Sequence, residues 1–231
     1  MTLLLVFYAV NRASIDNALQ RIDTDLDTTA RAFSRLLEDR NRNLLERARF
    51  LSSDHAYRQI YGFGERADLE VATANHQRRI GADLMMLVSL DEAVLADTLR
   101  PGNESMPGGV ESLVYTAFDS DDGVARAMRR VNGVPYQLVV VPLYAPDPVA
   151  MVVVGFRISD ELVTGLKQDT NFTDITLVFG AGESAPVVAA CTLGTALCEE
   201  QATKQAQKPP AVGSQATRTL GGEPWITRTL P

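Results

Sequence analysis

With 231 residues, 45% of them hydrophobic and 22% charged, the chain has the make-up of one large or two small folded domains, which excludes a disordered segment. Its net charge of −7 excludes the clustered basic surface that nucleic acid requires. Thr2 to Val10 is uncharged and apolar. It runs, with no Pro or Gly, into Ile15, Leu19, Ile22, Leu26, Thr29, Phe33 and Leu36. Spacings that alternate four and three mark the packing seam of a helix. The opening run is about half of the ~20 apolar residues a membrane span needs, and residues 1–13 read as the end of such a span, with Asn11 and Arg12 at the interface. A soluble helix with an apolar end is the alternative; a signal peptide is disfavoured, since the basic leader and small-residue cleavage site are missing. Nothing breaks the helix from Ser14 to Ser52; Leu44, Ala48 and Leu51 continue the stripe and Arg40 interrupts it.

A helical stretch to about Tyr61 and a turn at Gly62-Phe63-Gly64 come next. Asp68 is placed to cap a further helix ending at Gly81. The period then changes to that of strands. Asp83 to Leu90 and Ala93 to Asp97 form a pair turned by Asp91 and Glu92. Residues 100–109 form a loop and Val110 to Phe118 a short helix. Val124 to Val131 and Val134 to Tyr144 flank Asn132-Gly133, which accepts the positive φ values of a tight hairpin turn. Val149 to Ile158 is apolar on both faces and is expected at the covered centre of a sheet. A helix capped by Ser159 or Asp160 runs to about Gln168. Asp174–Phe179, Val187–Ala190, Thr217–Leu220 and Pro224–Thr229 read as strands of a smaller, truncated second module, with Glu199 to Gln215 as a polar loop. The fold class is α+β: a long N-terminal helix on an antiparallel five-stranded sheet, then a partial second module.

Chemical motifs are sparse. Gly62-x-Gly64-x-x-Ala67 and Gly180-x-Gly182-x-x-Ala185 lack the strand-to-helix context of a dinucleotide site. Asp119-x-Asp121-Asp122-Gly123 departs from a calcium loop: its Gly falls one place early and Arg130 stands where Glu is needed. His55 and His76 lie on expected helices with no nucleophile or second ligand. Two cysteines, Cys191 and Cys198, either close a small disulfide loop outside the cytoplasm or remain separate thiols; spacing does not decide. No catalytic constellation, cofactor motif or metal site emerges, and an enzyme is not expected.

Three segments carry a family resemblance: Ala74 to Leu84 with Val94 to Thr98, Gly133 to Pro142, and Val152 to Asp160. In order and spacing they resemble the double-Cache, PAS-like sensor domain of bacterial transmembrane receptors, over the stretch from the apolar stub to about Phe179. Glu92 replaces a Gly common in the first hairpin turn, and Met151 an aromatic residue common in the last strand. The resemblance implies a periplasmic, ligand-sensing domain between two membrane helices of an inner-membrane protein, with a cytoplasmic output. The Ile15-to-Leu36 seam suits pairing with the same helix of a second chain in a homodimer; packing on the chain's own sheet is the alternative. Among outputs the resemblance points to cyclic-di-GMP synthesis or hydrolysis ahead of a histidine kinase or chemoreceptor. The implied organisation is a signalling helix over 14–53, a membrane-distal module over 54–158, and a linker helix with a partial membrane-proximal module over 159–231.

A ligand of such a sheet lies between it and the loop side, here Leu99 to Gly123. Candidates to line it are Asp97, Tyr115, Arg126, Arg129, Tyr136 and Gln137. An Arg there suits a carboxylate through its forked donors, so an amino acid or carboxylate is the expected ligand. Strand alternation puts Arg126 and Arg130 on one face and Arg129 on the other, and does not tell which face is inside. The alternative is a structural or protein-binding module with no small-molecule ligand.

Overall fold

The computed structural model describes residues 2–52, 62, 65–169, 174–179, 187–207 and 215–228. The chain divides into two units, Leu37–Ile158 and Met1–Leu36 with Ser159–Pro231. One helix, α1 (Thr2–Ser52), contributes to both. Its 51 residues make a rod of about 75 Å at 1.5 Å per residue. Among the described residues no helix is long and apolar enough to cross a membrane. The stretch from 53 to 61, with His55, lies outside the described residues, as do Phe63 and Gly64 and the glycine motif at 180–185.

The unit Leu37–Ile158 is built on a five-stranded antiparallel sheet in the order β2-β1-β5-β4-β3, with β1 Leu84–Ser89, β2 Val94–Asp97, β3 Ala125–Val131, β4 Val134–Tyr144 and β5 Pro148–Arg157. β5 pairs with β1 on one side and β4 on the other, which is why its run is apolar on both faces. Helix α2 (Arg66–Ile80) begins with Glu65 at its N-cap; Asp68, expected as the cap, sits three residues on, where its carboxylate accepts the Glu65 backbone N–H at 3.2 Å. Both groups thereby satisfy donors that the first turn leaves open. Gly81 closes the helix in the left-handed conformation (φ 66°). The β3–β4 hairpin turns through Asn132 (φ 51°) and Gly133 (φ 82°), the pair of positive φ values its two-residue loop demands.

Each face of the sheet has its own core. On one, Leu44 and Ala48 of α1 and Leu69 and Ala72 of α2 pack on Met85, Leu87, Val139, Val141, Val152 and Val154. On the other, Val110 with Leu113, Val114 and Ala117 of α3 (Glu111–Phe118) pack on Leu84, Met86, Leu138, Val140, Met151 and Val153. Full burial of each Val, Leu or Met among them contributes about 1.5–3 kcal/mol.

The other unit holds α4 (Asp160–Asp169), the antiparallel pair β6 (Thr176–Phe179) and β7 (Val187–Cys191), α5 (Thr195–Gln207), and the hairpin β8 (Gln215–Leu220) and β9 (Glu223–Arg228). The expectation of a loop from Glu199 to Gln215 is corrected: residues to Gln207 are helical. The segment is polar, but Cys198 and Ala202 are buried on one side and Lys204 pairs with Glu200 one turn away at 2.6 Å. Cys191 and Cys198 are joined by a disulfide that links the end of β7 to α5. The Asp160 carboxylate accepts the Cys191 backbone N–H at 2.8 Å, fixing the start of α4 to the same strand end.

Candidate sensing face of the sheet

The face under α3 is the candidate site. Its floor is read from strand register, since residues directly paired across an antiparallel ladder point to the same side. Asp97 pairs with Met86, and both belong to this face. Arg129 pairs with Tyr136, and Tyr136 with Arg157, so these three stand in one row across β3, β4 and β5. In the adjacent row Leu138 pairs with Gly155, and Leu84 pairs with Gly155 from the other side. A Cβ at Gly155 would lie 2.8 Å from Leu138 Cδ2 and 3.1 Å from Leu84 Cβ, so the glycine lets those side chains close over the strand.

Arg126 and Gln137 do not join this group. Arg126 pairs with Val139 and Gln137 with Phe156, residues of the α1/α2 face. Gln137 is 2% exposed, and its Nε2 donates to Asn41 Oδ1 of α1 at 2.5 Å. Asp97 is on the sensing face but is fully engaged: its carboxylate accepts the Leu99 and Arg100 backbone N–H groups and pairs with Arg100 Nε at 3.0 Å. It shapes the loop and has little capacity left for a ligand.

That loop, residues 98–110, is held on two sides. Val94 N–H donates to the Glu104 carbonyl, which covers the outer edge of β2. Arg66 of α2 binds the Asn103 carbonyl (2.9 Å) and the Glu104 carboxylate (3.1 Å), and Glu70 accepts the Gly102 N–H (2.9 Å). Gly109 brings the chain against β3; with φ 90°, a Cβ there would meet the Arg130 carbonyl oxygen at 2.6 Å.

Tyr115 of α3 stands at the opposite margin, 38% exposed, and donates to Glu92 Oε2 at 2.7 Å. The hydrogen bond to Glu92, with smaller help from desolvation and from the charges of Glu92 and Glu111, pushes the phenol up to about 12. Glu92 holds φ 67°, a left-handed conformation that costs a non-glycine residue about 1–2 kcal/mol. The pair fastens α3 to the β1–β2 turn. The Tyr136 phenol is also raised, mainly by burial and next by the charge of Asp83, with Arg157 opposing. It remains a hydrogen-bond donor at neutral pH. Among the described residues no group of three or more His, Cys, Asp or Glu is placed to hold a metal ion.

Thus Tyr115, Arg129, Tyr136 and Asp97 lie on or beside the sensing face, while Arg126 and Gln137 lie on the other. Sequence reasoning missed Arg157, which register alone places beside Tyr136. It also missed Asn41 as the partner of Gln137. Glu92 was visible only as an unusual residue in a turn.

Residues 19–188 match the dCache_3 family model, described as the double sensory domain of two-component sensor kinases. The chain belongs to this family. As a dCache domain it is non-enzymatic and sensory. Among solved structures it is similar to the periplasmic domain of Vibrio cholerae LuxQ, at 13% identity over 88% of this chain and 100% of that one, TM-score 0.56. It is also similar to the ligand-binding domain of the Campylobacter jejuni chemoreceptor Tlp3, determined with L-norvaline, at 11% identity over 91% and 85% of the two chains, TM-score 0.57. The same receptor domain with L-valine gives 10% identity, 93% and 88% coverage and TM-score 0.55. At these identities the likeness is one of fold. No curated protein matches the chain.

Proposed function

We propose that this dCache chain is the periplasmic sensing domain of an inner-membrane signal transducer, binding a small molecule on the sheet face under α3 and passing the event to α1. One observation carries the reading: successive residues of β4 serve the two faces. Tyr136 belongs to the polar row of the sensing face, and Gln137 holds Asn41 of the long helix. A ligand that favours one setting of β4 thereby biases the helix, by no more than its difference in affinity for the two settings. The unbroken course of α1 supports a mechanical link toward the membrane. The organisation proposed for the chain keeps residues 1–13 as the end of a span, 14–53 as the signalling helix, 54–158 as the membrane-distal module and 159–231 as linker and proximal module.

Ile15, Leu19 and Ile22 of α1 are exposed at spacings of four and three, which supports pairing of this helix with its copy in a homodimer. For the output, the family's description as part of sensor kinases favours a kinase over the cyclic-di-GMP enzymes that sequence resemblance put first. Amino acids and carboxylates together head the ligand list: the Tlp3 domain binds L-valine and L-norvaline, and an arginine on the sensing face suits a carboxylate through its forked donors. The second reading, a protein-binding module, draws on the close filling of the sensing face around Gly155 by Leu84 and Leu138.

A thermal-shift screen of amino acids and carboxylates on the 231-residue chain tests the proposal. A saturable rise in midpoint with one compound is expected; no rise with any compound in a broad panel would turn the assignment to the protein-binding reading.

A further inference from the structure

We infer that the row Arg129–Tyr136–Arg157 is an anion subsite that selects ligands with two acidic groups, in the first instance a short dicarboxylate; this deepens the sensing assignment and rests on it. The three residues are direct cross-strand neighbours on one face of the sheet. Adjacent strands lie ~4.8 Å apart, so the two arginine Cα atoms are about 10 Å from one another with the tyrosine between. Both arginines are exposed while Tyr136 is 6% exposed, so the row has a buried phenol at its floor and a guanidinium on either side.

The arginines are uncommitted. Among the described residues neither has a carboxylate within ion-pair distance. The one side-chain hydrogen bond made by Arg129 is to the neighbouring Met128 carbonyl (3.0 Å). The contact of Arg157 with an acid is through its backbone N–H, which donates to Asp83 Oδ2 at 2.8 Å. Arg49 is paired with Asp122, Arg66 with Glu70 and Glu104, and Arg100 with Asp97, whereas Arg126 and Arg130, whose strand register puts them on the opposite face, make no ion pair among the described residues. In a chain of net charge −7, two unpaired forks on one row are a local positive field in an otherwise acidic molecule. Asp83 is the nearby acid; against the two guanidinium charges it leaves one positive charge in excess.

The chemistry follows from the donor set. A guanidinium presents two parallel N–H groups that match one carboxylate in a bidentate pair. Two of them accommodate two carboxylates, and the protonated phenol donates to an oxygen between them. A monocarboxylate fills half of the row. A neutral amino-acid zwitterion brings an ammonium group toward the second arginine, where like charges repel. A Cβ built on Gly109 would lie 3.6 Å from Arg129 Cβ, so this loop turn bounds the row on the β3 side.

Calorimetric titration of the 231-residue chain with succinate, with acetate and inorganic phosphate in parallel, decides the matter. Succinate is expected to bind saturably and acetate about tenfold or more weakly, the value of one lost charge-assisted pair. Arg129→Gln and Arg157→Gln should each weaken succinate about tenfold or more, with Arg157→Lys retaining part of the affinity. Arg126→Gln, on the other face, should change nothing. Melting curves of the variants show whether each is folded, and the lysine variants replace any glutamine variant that is not. The inference is overturned by absence of saturable succinate binding, by phosphate binding as tightly as succinate, or by equal weakening in Arg126→Gln. If instead a neutral compound or zwitterion from the thermal-shift panel binds and its affinity survives both glutamine variants, the sensing assignment stands and this subsite is wrong. If nothing in that panel binds, both fall together.

Discussion

Gln137 Nε2 lies 2.5 Å from Asn41 Oδ1, and through this bond the second strand from the edge of the sheet holds the long helix. The two residues are 96 positions apart in sequence. Gln137 is 2% exposed, and the core of its face is made of Val, Leu, Met, Ala and Phe side chains.

Removing one side of this bond should cost more than removing both. Gln137→Met or Asn41→Leu leaves a polar group without its partner and should lower stability by about 1–3 kcal/mol, whereas the double variant should lose less than the sum. Urea unfolding of the four proteins gives the coupling energy. Strict additivity would show that the bond does not tie the helix to the strand.

Asp97 should act as a loop anchor. Asp97→Ala removes acceptors for Leu99 and Arg100 and the partner of the Arg100 guanidinium, a loss of about 2–3 kcal/mol for hydrogen bonds to a charged group. Residues 99–109 should then be cut faster by protease while the sheet stays protected in hydrogen exchange. Uniform loss of protection across β4 and β5 would contradict a local role.

The Tyr115–Glu92 contact should be visible in alkaline titration. With the phenol at about 12 in the folded chain and an ordinary value of 10, the folded state holds its proton more tightly. The resulting stabilisation is present below pH 10 and disappears as pH rises toward 12. Glu92→Gln should return one tyrosine toward the ordinary range in the ultraviolet difference titration. An unchanged curve would remove Glu92 as the cause.

Reduction should affect the unit that carries the Cys191–Cys198 bond. The bridge spans seven residues in sequence, and closing so short a loop stabilises by about 2–3 kcal/mol in the chain-entropy account. Cys191→Ser with Cys198→Ser should lower the melting temperature and speed exchange in α5, and leave protection of β4 and β5 in place. Free thiols detected in the native oxidised protein would contradict the bond.

Much of the fold was written locally. The four-and-three spacing from Ile15 to Leu36 specified a long helix, Asn132-Gly133 a tight hairpin, and the apolar run Val149–Ile158 a strand covered on both sides, because each signal depends only on the periodicity or φ preference of nearby residues. Helix α5 escaped notice because, among its described side chains, the buried stripe is Cys198 and Ala202 in a polar segment. The site was legible as residue types and not as an arrangement. Alternation separates Arg126 from Arg129 and Tyr136 from Gln137, but a period of two has no sign. Which set faces α1 and which faces α3 is decided by the pairing of strands distant in sequence and by which helix covers each side. The same long-range register sets Arg157 beside Tyr136, and only the folded chain could bring them into one row.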